Sequence, residues 1–197
     1  MINLRTVPLM IITAIEYATR AHRDQVRKSD NLPYIAHPVA VQAIVAAFGG
    51  DEFAQVGALL HDVVEDTPVT LKEIQRDFGI LVAKVVREVT EQGTEGTGPK
   101  PSWETRKQAS IDAIGHKSYR ALLVTAADKL HNVMGLVAQY EVQGEALWDK
   151  FSRGKEKQLW VYGTLARKIQ AVSRKHTNPG LTKLADRLVA EVAKLEG

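Results

Sequence analysis

Hydrophobic spacing constrains this chain more than any other feature. Apolar residues recur three and four positions apart along nearly its whole length, and no stretch gives a convincing strand. Ile11, Ile12, Ile15, Ala18 and His22 set out a first helix over residues 8–26, with Pro8 at an early helical position. Residues 39–48 are an Ala/Val/Ile-rich helix ended by Gly49-Gly50. Asp51 is a good N-cap for a helix over 52–65. Thr70-Leu71-Lys72-Glu73 is a capping box that opens a short helix to Phe78. Gly79 stops that helix, and residues 80–91 form another with Val82, Val85, Val86 and Val89 inward. Helices over 103–115, 117–140, 154–174 and 181–196 follow, with breaks at Gly144 and Asn178-Pro179-Gly180. In the last helix Leu181, Leu184, Leu188, Val192 and Leu195 make one stripe. That stripe either closes the core, the commoner case, or forms the seam of a homodimer. The expectation is an all-α single domain over 1–197, with its core over about 8–175 and a C-terminal helix over 181–196.

The 197 residues suffice for one domain with a sizeable core. There is no Cys, which excludes disulfides and thiolate ligands. A transition metal must then be held by His and carboxylate, a set that suits Mn, Fe or Zn. The apolar run over residues 7–15 continues into Glu16, Arg20 and Arg23 at helical spacing, so it reads as an amphipathic helix and not a signal peptide. No apolar run approaches the roughly 18 residues needed to span a bilayer. A cytoplasmic protein with no membrane partner is expected. A net charge of +3 suits phosphorylated ligands and is too mild to argue for DNA or RNA.

The stretch Leu59-Leu60-His61-Asp62-Val63-Val64-Glu65-Asp66-Thr67 places four ionisable residues in six positions of an apolar helical run. Glu65 lies four residues after His61, and Asp66 four after Asp62, so each pair shares a helix face. An imidazole and three carboxylates are costly to bury together without a counter-charge, and a divalent cation supplies one. Alone, the stretch reads equally well as the solvated end of a core helix. Two other positions weigh against that. In Tyr34-Ile35-Ala36-His37-Pro38, Pro38 opens a helix and sets His37 at its start, where the helix dipole favours a neutral, ligand-competent imidazole. Asp128 follows directly on the core run Leu122-Leu123-Val124-Thr125-Ala126-Ala127. His37, His61-Asp62 and Asp128 sit on three separate helices, an arrangement common in helical metal sites. Two His and two Asp make a nitrogen–oxygen site with positions left for water or a phosphoryl oxygen. Glu65 and Asp66, one turn on, are placed to take a proton from water.

The residues His37, His61-Asp62 and Asp128 resemble the H…HD…D signature of HD-domain metal-dependent phosphohydrolases. The fuller stretches 34–38, 58–67 and Ala127-Asp128-Lys129-Leu130-His131-Asn132 resemble the hydrolase domain of RelA/SpoT-type alarmone enzymes. Chain length is similar to that of the stand-alone small alarmone hydrolases, including the metazoan SpoT homologue. The resemblance covers roughly residues 10–170. It implies a Mn²⁺-dependent 3′-pyrophosphohydrolase that converts (p)ppGpp-like alarmones to GDP or GTP and pyrophosphate, with (p)ppApp equally open. By the same resemblance, His37, His61, Asp62 and Asp128 hold Mn²⁺, and Glu65 and Asp66 orient and deprotonate the attacking water. Arg27 and Lys28 match the pair that contacts the base and nearby phosphates, and Asn132 the residue that contacts the ribose.

Some positions depart from the family pattern. His131 stands where Tyr is frequent, and is read as filling a core contact in preference to touching substrate. Met134-Gly135 stand where Arg is frequent. Lys155, Lys157, Trp160 and Tyr162 are candidates for missing substrate-facing groups. The loop over 93–102 reads equally as a lid or a tolerated insertion. Two alternatives stay open: another nucleotide phosphatase on the same scaffold, such as one removing the 2′-phosphate of NADPH, and a non-catalytic nucleotide-binding module.

Overall fold

The computed structural model describes residues 9–27, 32–91 and 101–196, and among these the regular structure is helical apart from one isolated Val26–Pro33 bridge. The helices are α1 Leu9–Ala21, α2 Ala36–Ala47, α3 Glu52–Leu60, α4 Val63–Asp66, α5 Leu71–Val89, α6 Trp103–Ala113, α7 Tyr119–Gln143, α8 Gly154–Ser173 and α9 Pro179–Glu196. Short 3₁₀ turns follow α6 at Ile114–His116 and α7 at Gly144–Lys150.

Side-chain caps fix where several helices begin. Asp51 accepts the Ala54 amide at 3.0 Å, Ser102 the Thr105 amide and Ser118 the Ala121 amide. The Thr70–Glu73 capping box is present in both directions. Each cap satisfies a first-turn N–H that has no partner inside its helix. The two helices expected over 71–78 and 80–91 run as one element with a kink at Gly79, whose φ of 83° is open to glycine.

The helix expected over 52–65 is two helices. α3 ends at Leu60, and His61-Asp62 form a turn before α4. In an unbroken helix neighbouring side chains point about 100° apart. The break lets His61 and Asp62 approach the same point.

α3 is the structural hub. Ala54 and Ala58 pack into a core with α2, α7, α8 and α9, while Val56, Leu59 and Leu60 pack into a second core with α1 and α5. Burial of Leu59 and Leu60 alone contributes about 1.5–3 kcal/mol each. A Cβ on Gly57 would lie 2.5 Å from Val85 Cγ1, which shows how closely α3 meets α5. Held on both sides, α3 presents its C-terminal His61 at a fixed place.

α7 crosses the centre, with an unbroken buried run from Ala121 to Asp128. By length and composition the span Tyr119–Lys150 is apolar enough to cross a membrane, a property the sequence reading missed. Most of that apolar surface lies against other helices. In α9, Leu181, Leu184, Leu188, Val192 and Leu195 are all buried, so its stripe closes the core against α7 and α8.

Candidate metal centre

Three elements deliver the ligand candidates. His37 lies in the first turn of α2, His61 at the C-terminal end of α3 and Asp128 in the middle of α7. All three are buried, and one ligand atom from each lies within 4.8 Å of the others. His37 Nε2 is 3.2 Å from Asp128 Oδ1 and 3.6 Å from Asp62 Oδ2. His61 Nε2 is 3.0 Å from Asp62 Oδ2 and 3.8 Å from Asp128 Oδ1. The four residues that stand out in the sequence therefore meet at one point.

The chemistry of this donor set fits a cation. His61 Nδ1–H donates to the Ala58 carbonyl at 2.7 Å, which leaves Nε2 as the donor atom facing the cluster. That Nε2 is buried and has no hydrogen bond of acceptable geometry among the described residues. The surrounding charge also calls for a positive centre. Burial works against charge on His61, yet Asp62 and Asp128 outweigh it and push its pKa up to about 9. Burial alone would raise Asp128, but the Lys129 ammonium and the two imidazoles hold it well below the usual carboxylate range. Asp62 goes the same way, down to about 2, because the His61 imidazole overcomes its burial. These groups could hold a metal ion.

The outer contacts orient the clustered side chains. Asp128 Oδ1 accepts from Asn132 Nδ2, and Oδ2 from Lys129 Nζ, both at 2.6 Å. The Tyr34 hydroxyl donates to Asp62 Oδ2 at 2.6 Å and lies 3.2 Å from Asp66 Oδ2. Burial first, then the nearby carboxylates, raise the Tyr34 pKa, so the phenol stays a donor. His131 Nδ1 lies 2.9 Å from His37 Nδ1 and 3.3 Å from Arg27 Nη1. With both of those donating, His37 turns its Nε2 lone pair toward the cluster.

Glu65 and Asp66 sit beside the ligands. Glu65 Oε2 accepts the Glu91 amide at 3.1 Å. Burial, with Asp62 as a lesser cause, raises the pKa of both carboxyls, which moves them toward the range useful for a general base. The four ligand candidates, with Tyr34, Glu65, Asp66, Lys129 and Asn132, line one cavity of about 1070 Å³, large enough for a nucleotide.

Arg27 and Asn132 line that cavity. Lys28 and most of the loop over 93–102 lie outside the described residues. Of the four candidates over 155–162, only Tyr162 lines the cavity. Lys155 is paired with Glu145 at 2.7 Å and Lys157 lies over the Trp160 ring, so these side chains are engaged elsewhere.

Sequence reasoning missed several contributors. Tyr34 stands inside a quoted motif, yet nothing in the sequence tells that its hydroxyl reaches Asp62. His131 is three residues after Asp128, a spacing that puts it near the ligand face; it contacts His37, where a core contact was expected. His22 is buried, bonds Gln25 at 2.8 Å and packs its ring on Tyr34 at 4.6 Å. Gln25 in turn donates to the Asp66 carbonyl at 2.8 Å.

Comparison with known proteins gives a consistent picture. Residues 14–170 match the HD domain family. Human guanosine-3′,5′-bis(diphosphate) 3′-pyrophosphohydrolase MESH1 is 40% identical over 129 residues, which cover 64% of this chain and 69% of that one. The Haemophilus influenzae guanosine-3′,5′-bis(diphosphate) 3′-pyrophosphohydrolase is 34% identical over 158 residues, 77% of this chain but 21% of that longer protein. A solved structure described as a metazoan orthologue of SpoT that hydrolyses ppGpp matches with a TM-score of 0.73 and 28% identity, over 92% of this chain and 94% of that one.

Proposed function

Because the chain belongs to the HD-domain family, we propose that it is a metal-dependent 3′-pyrophosphohydrolase of a ppGpp-type alarmone. The reaction opens the bond between the ribose O3′ and the first 3′-phosphorus. Water adds to phosphorus, the ribose oxygen leaves as a hydroxyl, and the products are GDP or GTP and pyrophosphate. One observation carries the reading: a His37–His61–Asp128 cluster on the wall of a nucleotide-sized cavity. The identity to proteins named for this activity supports it.

His37, His61, Asp62 and Asp128 are the residues that would hold the metal, with Mn²⁺ the proposed ion. A divalent cation there neutralises phosphoryl charge and makes water acidic near neutral pH. Glu65 and Asp66 take the proton from the attacking water, aided by pKa values that burial has raised. Tyr34 keeps Asp62 and Asp66 in a fixed relation. Arg27 and Lys28 meet the base and neighbouring phosphates, for which an arginine fork is suited. Asn132 meets the ribose while it braces Asp128. The whole of 1–197 acts as one hydrolase domain, a reading supported by the packing of α9 on α7 and α8 beyond the matched family region.

The test is a product assay with Mn²⁺ against guanosine and adenosine 3′-pyrophosphates and NADPH. Pyrophosphate released from a 3′-pyrophosphorylated nucleotide is the expected result, and the faster substrate reveals the base preference. Orthophosphate from NADPH alone would transfer the site to 2′-phosphatase chemistry. Binding without release of any phosphate would make the chain a nucleotide-binding module.

A further inference from the structure

One wall of the cavity carries a cation that the proposed chemistry does not use. Lys117 joins the 3₁₀ turn after α6 to the start of α7, and its side chain lines the cavity. Its ammonium donates to the Glu88 backbone carbonyl, a neutral acceptor at the end of α5. No carboxylate lies within ion-pair distance of it among the described residues. The Glu88 carboxylate is engaged by the Ser118 amide at 2.7 Å, with Lys84 at 3.9 Å. An ammonium has three donors, so two remain to Lys117 for a ligand.

A second cation acts on the same space. Lys129 Nζ lies 2.6 Å from Asp128 Oδ2, beside the metal ligands, and also lines the cavity. Lys129 is near enough to Lys117 to disfavour its charge. Burial first, and then this repulsion, bring the Lys117 pKa down to about 8. Thr125 lines the same cavity, on α7 one turn before Asp128 and Lys129. Its hydroxyl is buried and has no hydrogen-bond partner among the described residues. Of these two like charges on a partly desolvated cavity, Lys129 is paired with Asp128, while Lys117 has the Glu88 carbonyl and only the more distant Glu88 carboxylate, so an added anion favours Lys117 most. Lys129 stands beside Asp128, whereas Lys117 stands on α7's approach with no metal-site residue as its partner, so a second phosphoryl group joined to the first would give Lys117 a counter-charge.

We infer that Lys117 and Lys129 together bind the phosphoryl group beyond the scissile one, so that the cavity selects a 3′-diphosphoryl over a 3′-monophosphoryl group. This rests on the reading of the cavity as a nucleotide hydrolase site and deepens it. Lys117 becomes a specificity-determining residue. A charge-assisted hydrogen bond of this kind is worth about tenfold or more in affinity.

Titration calorimetry with inorganic pyrophosphate and orthophosphate tests this without turnover. Wild type, Lys117→Met and Lys117→Arg are compared with stoichiometric Mn²⁺, and circular dichroism checks that each is folded. Wild type is expected to bind pyrophosphate at least about tenfold more tightly than orthophosphate. Lys117→Met should lose most of that preference by weakening pyrophosphate alone, and Lys117→Arg should keep it. A wild-type protein without the preference, or a Lys117→Met protein that retains it, would overturn the inference. Failure of the hydrolase reading looks different: the preference persists while no 3′-pyrophosphorylated nucleotide is cleaved.

Discussion

His61 shows how a single side chain is prepared for its task. One ring nitrogen is committed to the Ala58 carbonyl and the other faces two carboxylates and a second imidazole. Removing it, or Asp128, is expected to abolish metal binding and activity together; His61→Ala and Asp128→Ala proteins that still take up one Mn²⁺ per chain would contradict the ligand assignment. Glu65→Gln should behave differently. It preserves shape and the bond from the Glu91 amide but removes a proton acceptor, so metal uptake should persist while turnover falls about 10²–10⁴-fold. Normal turnover in that variant would leave the role to Asp66. The clustered residues were legible in the sequence because their types and spacing are unusual: a His at a helix start, a His-Asp pair, and an acid ending an apolar run. Their supports were not. Tyr34, His131 and Lys117 act through contacts that bridge 28, 94 and 29 positions, and no local pattern encodes such distances.

At the scale of elements, periodicity and caps carried most of the information. The capping residues Asp51 and Thr70 stand where the sequence places them. The break at His61-Asp62 was hidden, because Leu59-Leu60 and Val63-Val64 continue an apolar run straight across it. The 3₁₀ turn Gly144–Lys150 carries no helical periodicity to announce it. Gly57→Ala drives a methyl against Val85 and should cost about 1–3 kcal/mol, read as a lowered denaturant midpoint. An unchanged midpoint would mean that α3 and α5 separate easily. Asp51 caps α3 and also receives the Arg120 guanidinium at 2.7 and 3.0 Å. Asp51→Ala should cost about 1 kcal/mol, a fall in Tm of about 2–4 °C. The Arg120 hydrogen bond lowers the Asp51 pKa against the opposing effect of burial. A depressed carboxylate stabilises the fold above its unfolded pKa, and that contribution fades as pH falls through the folded value. The wild-type advantage should therefore be full at pH 7 and shrink below about pH 4. An advantage that grows in acid would contradict the pairing.

At the scale of the molecule, two cores share α3, and the cavity opens where its C-terminal end meets α2 and α7. The all-α class was legible from spacing alone. The division into two cores was not, since a helix buried on two sides and one buried on a single broad face look alike in a short apolar run. This architecture explains why a site of buried charges persists: the packing that surrounds α3 and α7 fixes His61 and Asp128 before any ligand arrives. On the proposed reading the chain holds water in line with the 3′-phosphorus and cuts the bond to ribose. Hydrolysis of guanosine 3′,5′-bis(diphosphate) in ¹⁸O-labelled water tests it most directly. One labelled oxygen in the released pyrophosphate, with none in the 3′-hydroxyl of GDP, is the predicted result. Label in the nucleotide hydroxyl, or orthophosphate as the labelled product, would contradict it.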